Sequence, residues 1–172
     1  MKKILLCFLV SASLTACTNQ ETKTEAKTDT TGSVTTTGPD VDLIKKSITA
    51  FANGDWATYA STYADTAKSY HNIWPSNTDT TVGVKIPVLI EGFKKQRELM
   101  DGKLTMGGTI FEVVTMPDGS KYGHVWVDFT WKNKKGEVGK SVLFDSYGIN
   151  KDGKISYEWP IYDTKDVVRL AQ

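Results

Sequence analysis

In the stretch YGHVWVDFTW, residues 122–131, a histidine and an aspartate lie on the same side of a strictly alternating segment. Tyr122, His124, Trp126, Asp128 and Thr130 share one side, and Gly123, Val125, Val127, Phe129 and Trp131 the other. That period of two marks a β-strand with unlike faces. A histidine beside a carboxylate is a start for acid–base chemistry. Four residues along a strand, however, separate His124 from Asp128 by roughly 13 Å at about 3.3 Å per residue. The two cannot form a dyad, and any partner of His124 must come from a neighbouring strand. The other imidazole able to titrate near neutral pH is His71 in SYHNIW, on a segment placed to close a pocket mouth or to serve as a cap or surface residue. Two histidines so far apart, with no metal-type spacing, do not make a zinc site. No nucleophile elbow, P-loop or dinucleotide fingerprint is present, so neither a metal nor a cofactor is expected.

The elements that must position these residues fall into two groups. DVDLIKKSITAFANGD has apolar residues at helical spacing (Leu43, Ile44, Ile48, Phe51), Asp40 or Asp42 as N-cap and Gly54 as a stop. Asp55 can cap a second helix carrying Trp56, Tyr59, Ala60 and Tyr63 on one face. KSYHNIWP reads as a short strand ending at Pro75 and SNTDTTVG as a loop. Pro87 then opens a third helix whose stripe is Leu89, Ile90, Phe93, Arg97 and Met100. From there the period is two: strands are predicted over 103–116, 121–132, 140–150 and 154–162, joined at PDGS, NKKGEVG and KDG. Helices followed by an antiparallel meander give an α+β domain with the helices on one face of the sheet. The closing DTKDVVRLAQ, residues 164–172, reads as a short helix or tail.

The 172 residues hold one domain's worth of chain, 40% apolar with five tryptophans. The formal charge of +1 offers no cationic excess for nucleic acid. MKKILLCFLVSASLTAC has two lysines, a short apolar run and small residues before a cysteine, the parts of a secretory signal. The run is too short to span a bilayer, which takes about 20 apolar residues. Cys7 lies inside it, so removing residues 1–16 leaves Cys17 alone and no intramolecular disulfide. Residues 17–40 are rich in threonine and charge with one valine as the large apolar residue; they are expected to stay disordered, a tether with a reach of about 25 Å. The folded domain is expected over 41–163.

Two resemblances add to this. Leu14, Thr15, Ala16 and Cys17 resemble the lipobox of bacterial lipoproteins, which implies a lipid on Cys17 and attachment to a membrane of the bacterial cell envelope. The order of elements, with YADTAKSYHN, VLIEGFKKQRELM and FDSYGINKDGKISYEWPIYD, resembles the SnoaL-like branch of the NTF2-like superfamily. That resemblance implies a cone of three N-terminal helices packed on a curved, mostly antiparallel sheet, often around an apolar pocket. Its members include isomerases, cyclases, hydrolases and proteins without known chemistry, so fold does not decide function. It implies a general acid or base at Asp145, with His71 or a tyrosine as partner. Tyr59, Tyr63, Trp74, Trp131 and Trp159 are the aromatic candidates for core or pocket wall.

Register bears on Asp145. An even-numbered loop at 134–137 places Asp145 and Tyr147 with His124, Trp126, Asp128 and Glu158, and leaves Val125, Val127, Phe129 and Trp131 with Val142, Phe144, Ile155, Tyr157, Trp159 and Ile161. The apolar set then belongs under the helices. The mixed set becomes an outer face, solvated or pairing with a second copy through Trp126 and Tyr147. A bulge near Gly148 can return Asp145 to the pocket side, so both placements stay open. The leading expectation is a lipid-anchored protein that binds a small apolar ligand or serves as a non-catalytic assembly module; the alternatives are an acid–base enzyme using Asp145 and a homodimerisation module.

Overall fold

The computed structural model describes residues 31–71, 83–101 and 104–170. In chain order these form β1 (Ser33–Thr35), α1 (Pro39–Asn53), α2 (Trp56–Ser61), β2 (Tyr63–Ser69), β3 (Val84–Lys85), α3 (Ile86–Arg97), β4 (Thr105–Thr115), β5 (Lys121–Lys132), β6 (Val138–Ile149), β7 (Ile155–Tyr162) and α4 (Lys165–Leu170). The strands make one sheet in the order β1-β4-β5-β6-β7-β2-β3. All pairs are antiparallel except β2 with β7. The α+β class is as expected, but the helices are not three at the amino terminus. Two precede the sheet's second strand, the third follows β3 and a fourth closes the chain.

Several boundaries move for local reasons. The ordered domain starts earlier than residue 41, because Ser33–Thr35 pair with Val113–Thr115 as an edge strand. Helix α1 is entered at Pro39, in the first turn where its missing N–H costs nothing. Asp40 and Asp42 therefore lie inside the first turn rather than at the cap, and Asp40 meets Lys121 at 2.6 Å. The far end of α1 stops as its sequence dictates. Gly54 takes a left-handed φ of 71°, its N–H bonds to Phe51 O, and Asp55 N–H reaches Ala50 O at 2.9 Å. Asp55 then caps α2 by accepting from Thr58 N at 3.0 Å. Tyr63 belongs to β2, beyond the end of the second helix.

The main correction is one of facing. β5 and β6 pair Trp131 with Gly139, Val127 with Leu143 and Val125 with Asp145, odd position against odd. The loop between them therefore has an odd length. Lys134, Lys135 and Gly136 form it, closed by Asn133 N–H to Glu137 O at 3.0 Å, with Gly136 at φ 82°. The Asn133 Oδ1 accepts from Lys135 N and Glu137 N and fixes the turn. The same device recurs at the next hairpin, where Asn150 Oδ1 accepts from Asp152 N and Lys154 N and Gly153 takes φ 66°. One residue fewer in the loop moves every side chain of β6 to the opposite face.

The helix-covered face thus carries Val125, Val127, Phe129 and Trp131 together with Leu143, Asp145 and Tyr147. Val41, Ile44 and Ile48 of α1 and Ile86 and Ile90 of α3 join them in one buried core. Gly123 on this face leaves the space that Ile44 fills: a Cβ there would stand 1.9 Å from Ile44 Cδ1. The open face carries a row across four strands, Ile110 beside Trp126 beside Phe144 beside Ile161. Val142, Phe144, Tyr157, Trp159 and Ile161 therefore leave the set expected under the helices, and Val142 and Ile161 are exposed.

Candidate functional site

A cavity with an open mouth lies between the helices and the covered face of the sheet. Most of its wall is apolar: Ile48 and Phe51 from α1, Phe93 from α3, and Phe129, Trp131 and Leu143 from the sheet. The polar groups reaching it include Tyr59, His71, Arg97, Asp145, Tyr147 and Glu158. An apolar chamber with a few convergent polar groups is the usual form of a small-molecule site.

Strands β6 and β7 bring the two carboxyl groups in. Asp145 faces Pro160 and Tyr147 faces Glu158 across the hairpin, so register rather than sequence proximity assembles the cluster. Asp145 is 3% exposed, Glu158 2% and Tyr147 1%. Glu158 is held by hydroxyls: Tyr59 donates to it at 3.2 Å, Tyr63 donates to the same oxygen, and the two tyrosine hydroxyl oxygens lie 2.9 Å apart. Asp145 is less well served, and its Oδ1 is buried with no hydrogen-bond partner.

These surroundings separate the two acids. Burial pushes both above the usual carboxylate range. For Asp145 the shift is strong, with burial the main cause and the neighbouring Glu158 charge next. For Glu158 burial is opposed by hydrogen bonds from Tyr63, Ser69 and Tyr59. Hydroxyl donors thus favour the charged form of Glu158, while burial and the Glu158 charge favour the protonated form of Asp145. Tyr59, Tyr63 and Tyr147 are pushed far up, mainly by burial, and remain hydroxyl donors.

His71 sits on the wall between Phe93 and Tyr162, each with its ring centroid 5.8 Å away, and its Nδ1 meets Ser69 Oγ at 2.7 Å. Burial lowers its pKa from 6.5 to about 4, so the ring is neutral at pH 7. Arg97 enters from the end of α3. Its Nη2 donates to Phe51 O at 2.6 Å and Ala52 O at 3.3 Å, and its guanidinium lies 5.4 Å from the Phe51 ring and 5.9 Å from the Trp56 ring.

The structure distributes the sequence candidates unevenly. Asp145, His71, Tyr59 and Trp131 line the cavity, and Tyr63 is one hydrogen bond behind it. Tyr147, placed by sequence on the outer face, is inside, for the reason of loop length given above. Trp159, a pocket candidate, is on the open face against Tyr70 and Tyr157, because it pairs with outward Ser146. Trp74 lies outside the described residues, as does Cys17. His124, Trp126 and Asp128 stay on the open face; Trp126 is 39% exposed and His124 Nδ1 lies 3.2 Å from Glu112. Sequence reasoning passed over Glu158 and Arg97. The first sits opposite Tyr147 once the hairpin is in register, and the second falls at i+4 from Phe93 on the buried stripe of α3. Among the described residues no group of three or more His, Cys, Asp or Glu is placed to hold a metal.

Helices on one face of this mixed sheet enclose a chamber with a carboxyl group on a central strand. No family model and no curated protein matches the sequence. Solved structures do match the fold. PrhC from Penicillium brasilianum superposes with a TM-score of 0.60 at 13% identity, over 79% of this chain and 87% of that one. An NTF2-like protein from Burkholderia xenovorans gives 0.53 at 15% identity, over 78% and 96%. A candidate SnoaL-like polyketide cyclase from Shewanella putrefaciens gives 0.55 at 8% identity, over 78% and 86%. The domain therefore has the fold of SnoaL-like and NTF2-like proteins, at identities where likeness extends to fold alone.

Proposed function

We propose that the domain binds a small, largely apolar carbonyl compound in its cavity and moves a proton on it. The observation that carries this reading is the unpartnered Oδ1 of Asp145, a buried acid lining an apolar chamber. A buried polar atom without a partner is costly, and a ligand oxygen would relieve that cost. In this reading protonated Asp145 donates to the carbonyl oxygen, while Glu158 is a positioning residue whose negative charge keeps the proton on Asp145. Neutral His71 takes a proton from the adjacent carbon and returns it. The test uses 2-tetralone, an apolar bicyclic ketone, in deuterated buffer with proton NMR. Exchange next to the carbonyl is expected to outrun the buffer rate, and His71→Asn to slow it by about 10²–10⁴-fold. Exchange at the buffer rate despite saturable binding removes the catalytic step. That outcome would favour a second reading, binding without chemistry, which the sealing of Glu158 behind Tyr59 and Tyr63 supports.

The same proposal includes a tether. Residues 1–16 act as an export signal, Cys17 carries lipid, and the following segment holds the domain off an envelope membrane. The composition of residues 1–17 supports this. Among the described residues no helix is long and apolar enough to cross a membrane. Metabolic labelling with a radioactive fatty acid in a bacterial host is expected to mark the wild type and to fall to background in Cys17→Ser, with the variant lost from the membrane fraction. Equal labelling of both would remove the anchor. Pairing of two copies through the open face, around Trp126, is part of the proposal and predicts a dimer by light scattering.

A further inference from the structure

The cavity holds a second unsatisfied group, and its chemistry is opposite to that of Asp145. Arg97 spends Nη2 on the last carbonyls of α1, leaving Nη1 buried with no hydrogen-bond partner. The guanidinium lines the cavity among Phe51, Phe93, Met100 and Leu104. None of the four ion pairs among the described residues includes Arg97. The carboxyl-terminal end of α1 supplies only about half a negative charge. A guanidinium so placed retains positive charge and free donor capacity inside an apolar wall, and such a charge is expensive until it is paired.

We infer that the cavity is built for an amphipathic carboxylate, whose anionic end meets Nη1 of Arg97 while its apolar body fills the chamber toward Asp145. The inference rests on the ligand-binding reading above and narrows the ligand class. A carboxylate suits the site better than a phosphate. Only one terminal nitrogen is unspent, which can serve a planar monoanion but leaves most oxygens of a phosphate dry. The Phe51 and Trp56 rings, 5.4 and 5.9 Å from the guanidinium, hold that nitrogen in place before the ligand arrives.

The experiment compares 2-naphthoate with 2-naphthamide, its neutral isostere, by calorimetry on the detergent-solubilised full chain at pH 7.5. The acid is expected to bind at least about tenfold more tightly, a difference of about 1.4 kcal/mol. In Arg97→Met that preference should vanish. Because Arg97 also caps α1, the variant could unfold, and a second measurement on the wild type covers that case. The guanidinium nitrogen resonances of Arg97 should shift with naphthoate and not with naphthamide. Equal binding of acid and amide, a preference that survives in Arg97→Met, or unmoved Arg97 resonances overturns the inference while leaving the cavity reading intact. Binding of neither probe overturns both.

Discussion

Asp145→Asn is expected to make the protein more stable at pH 8 and to remove proton transfer. The sign follows from burial. In the folded chain the Asp145 pKa lies well above its ordinary 3.8, with desolvation the first cause and the Glu158 charge the second. Above pH 3.8 the unfolded chain releases this proton and the folded chain keeps it. The native state then binds more protons than the unfolded one, so stability falls as pH rises toward the folded pKa. Asparagine has no proton to lose and is nearly the same shape. The gain at pH 8 is the proton linkage that leaves with the carboxyl. It should shrink at pH 4.5. Urea midpoints of both proteins at the two pH values measure it, with the slope of the transition as a check on compactness. Proton exchange on 2-tetralone should fall by about 10²–10⁴-fold in the same variant. An unchanged midpoint at pH 8 would mean that Asp145 is ionised and solvated there. Stability gained as function is lost is the behaviour of a strained site.

His71 should give the opposite pH dependence. Its folded pKa of about 4 is below the ordinary 6.5, with burial as the cause. Between those values the unfolded chain takes up a proton that the folded chain refuses. Stability is therefore fully present above about pH 6.5 and is lost as pH falls toward 4. The loss approaches about 3 kcal/mol, at 1.36 kcal/mol per unit. His71→Asn should flatten the acid limb while leaving the midpoint above pH 7 within about 1 kcal/mol of wild type. The two groups oppose each other across the same window. Asp145→Asn should consequently expose the His71 slope and make that variant more acid-sensitive than wild type. A wild-type and an Asp145→Asn profile that run parallel from pH 4 to 7 would count against both assignments.

Most of the element order was legible in the residues, because period and punctuation carry it. Gly54 with Asp55 ends one helix and caps the next, Pro87 lies in the first turn of α3, and the four long strands sit within about two residues of their expected bounds, the usual uncertainty of such limits. What failed was one integer, the length of a turn. NKKGEVG offers several closures, and the even one pairs apolar residues more evenly across the sheet. The deciding signal is a repeat: an asparagine three residues before a glycine, at Asn133 with Gly136 and again at Asn150 with Gly153. Asparagine bonding back into the loop and glycine at positive φ specify three residues between the closing pair. Reading the first loop that way puts Asp145 under the helices; after the second, the register also shifts between Gly148 and Ile149, and that irregularity turns Glu158 inward and Trp159 outward. Arg97 is visible in the sequence as part of an apolar stripe. Its chemistry was hidden because nothing in a single sequence says which carbonyls lie across the gap.

The one parallel pairing in the sheet has a consequence for how the site comes into being. β2 lies against β7, with Lys68 opposite Tyr157 and Ser69 opposite Glu158, residues from opposite ends of the domain. The hairpins of β4 to β7 close over short loops and can form from neighbouring chain. The β2 edge closes only after a long stretch of chain has been brought round, the slow kind of contact in folding. Tyr59 and Tyr63 travel with that edge. Glu158 meets the Tyr59 and Tyr63 hydroxyls only across that closure. The perturbed acid pair is thus a property of the finished molecule alone, and its titration reports the moment the two ends of the domain have met.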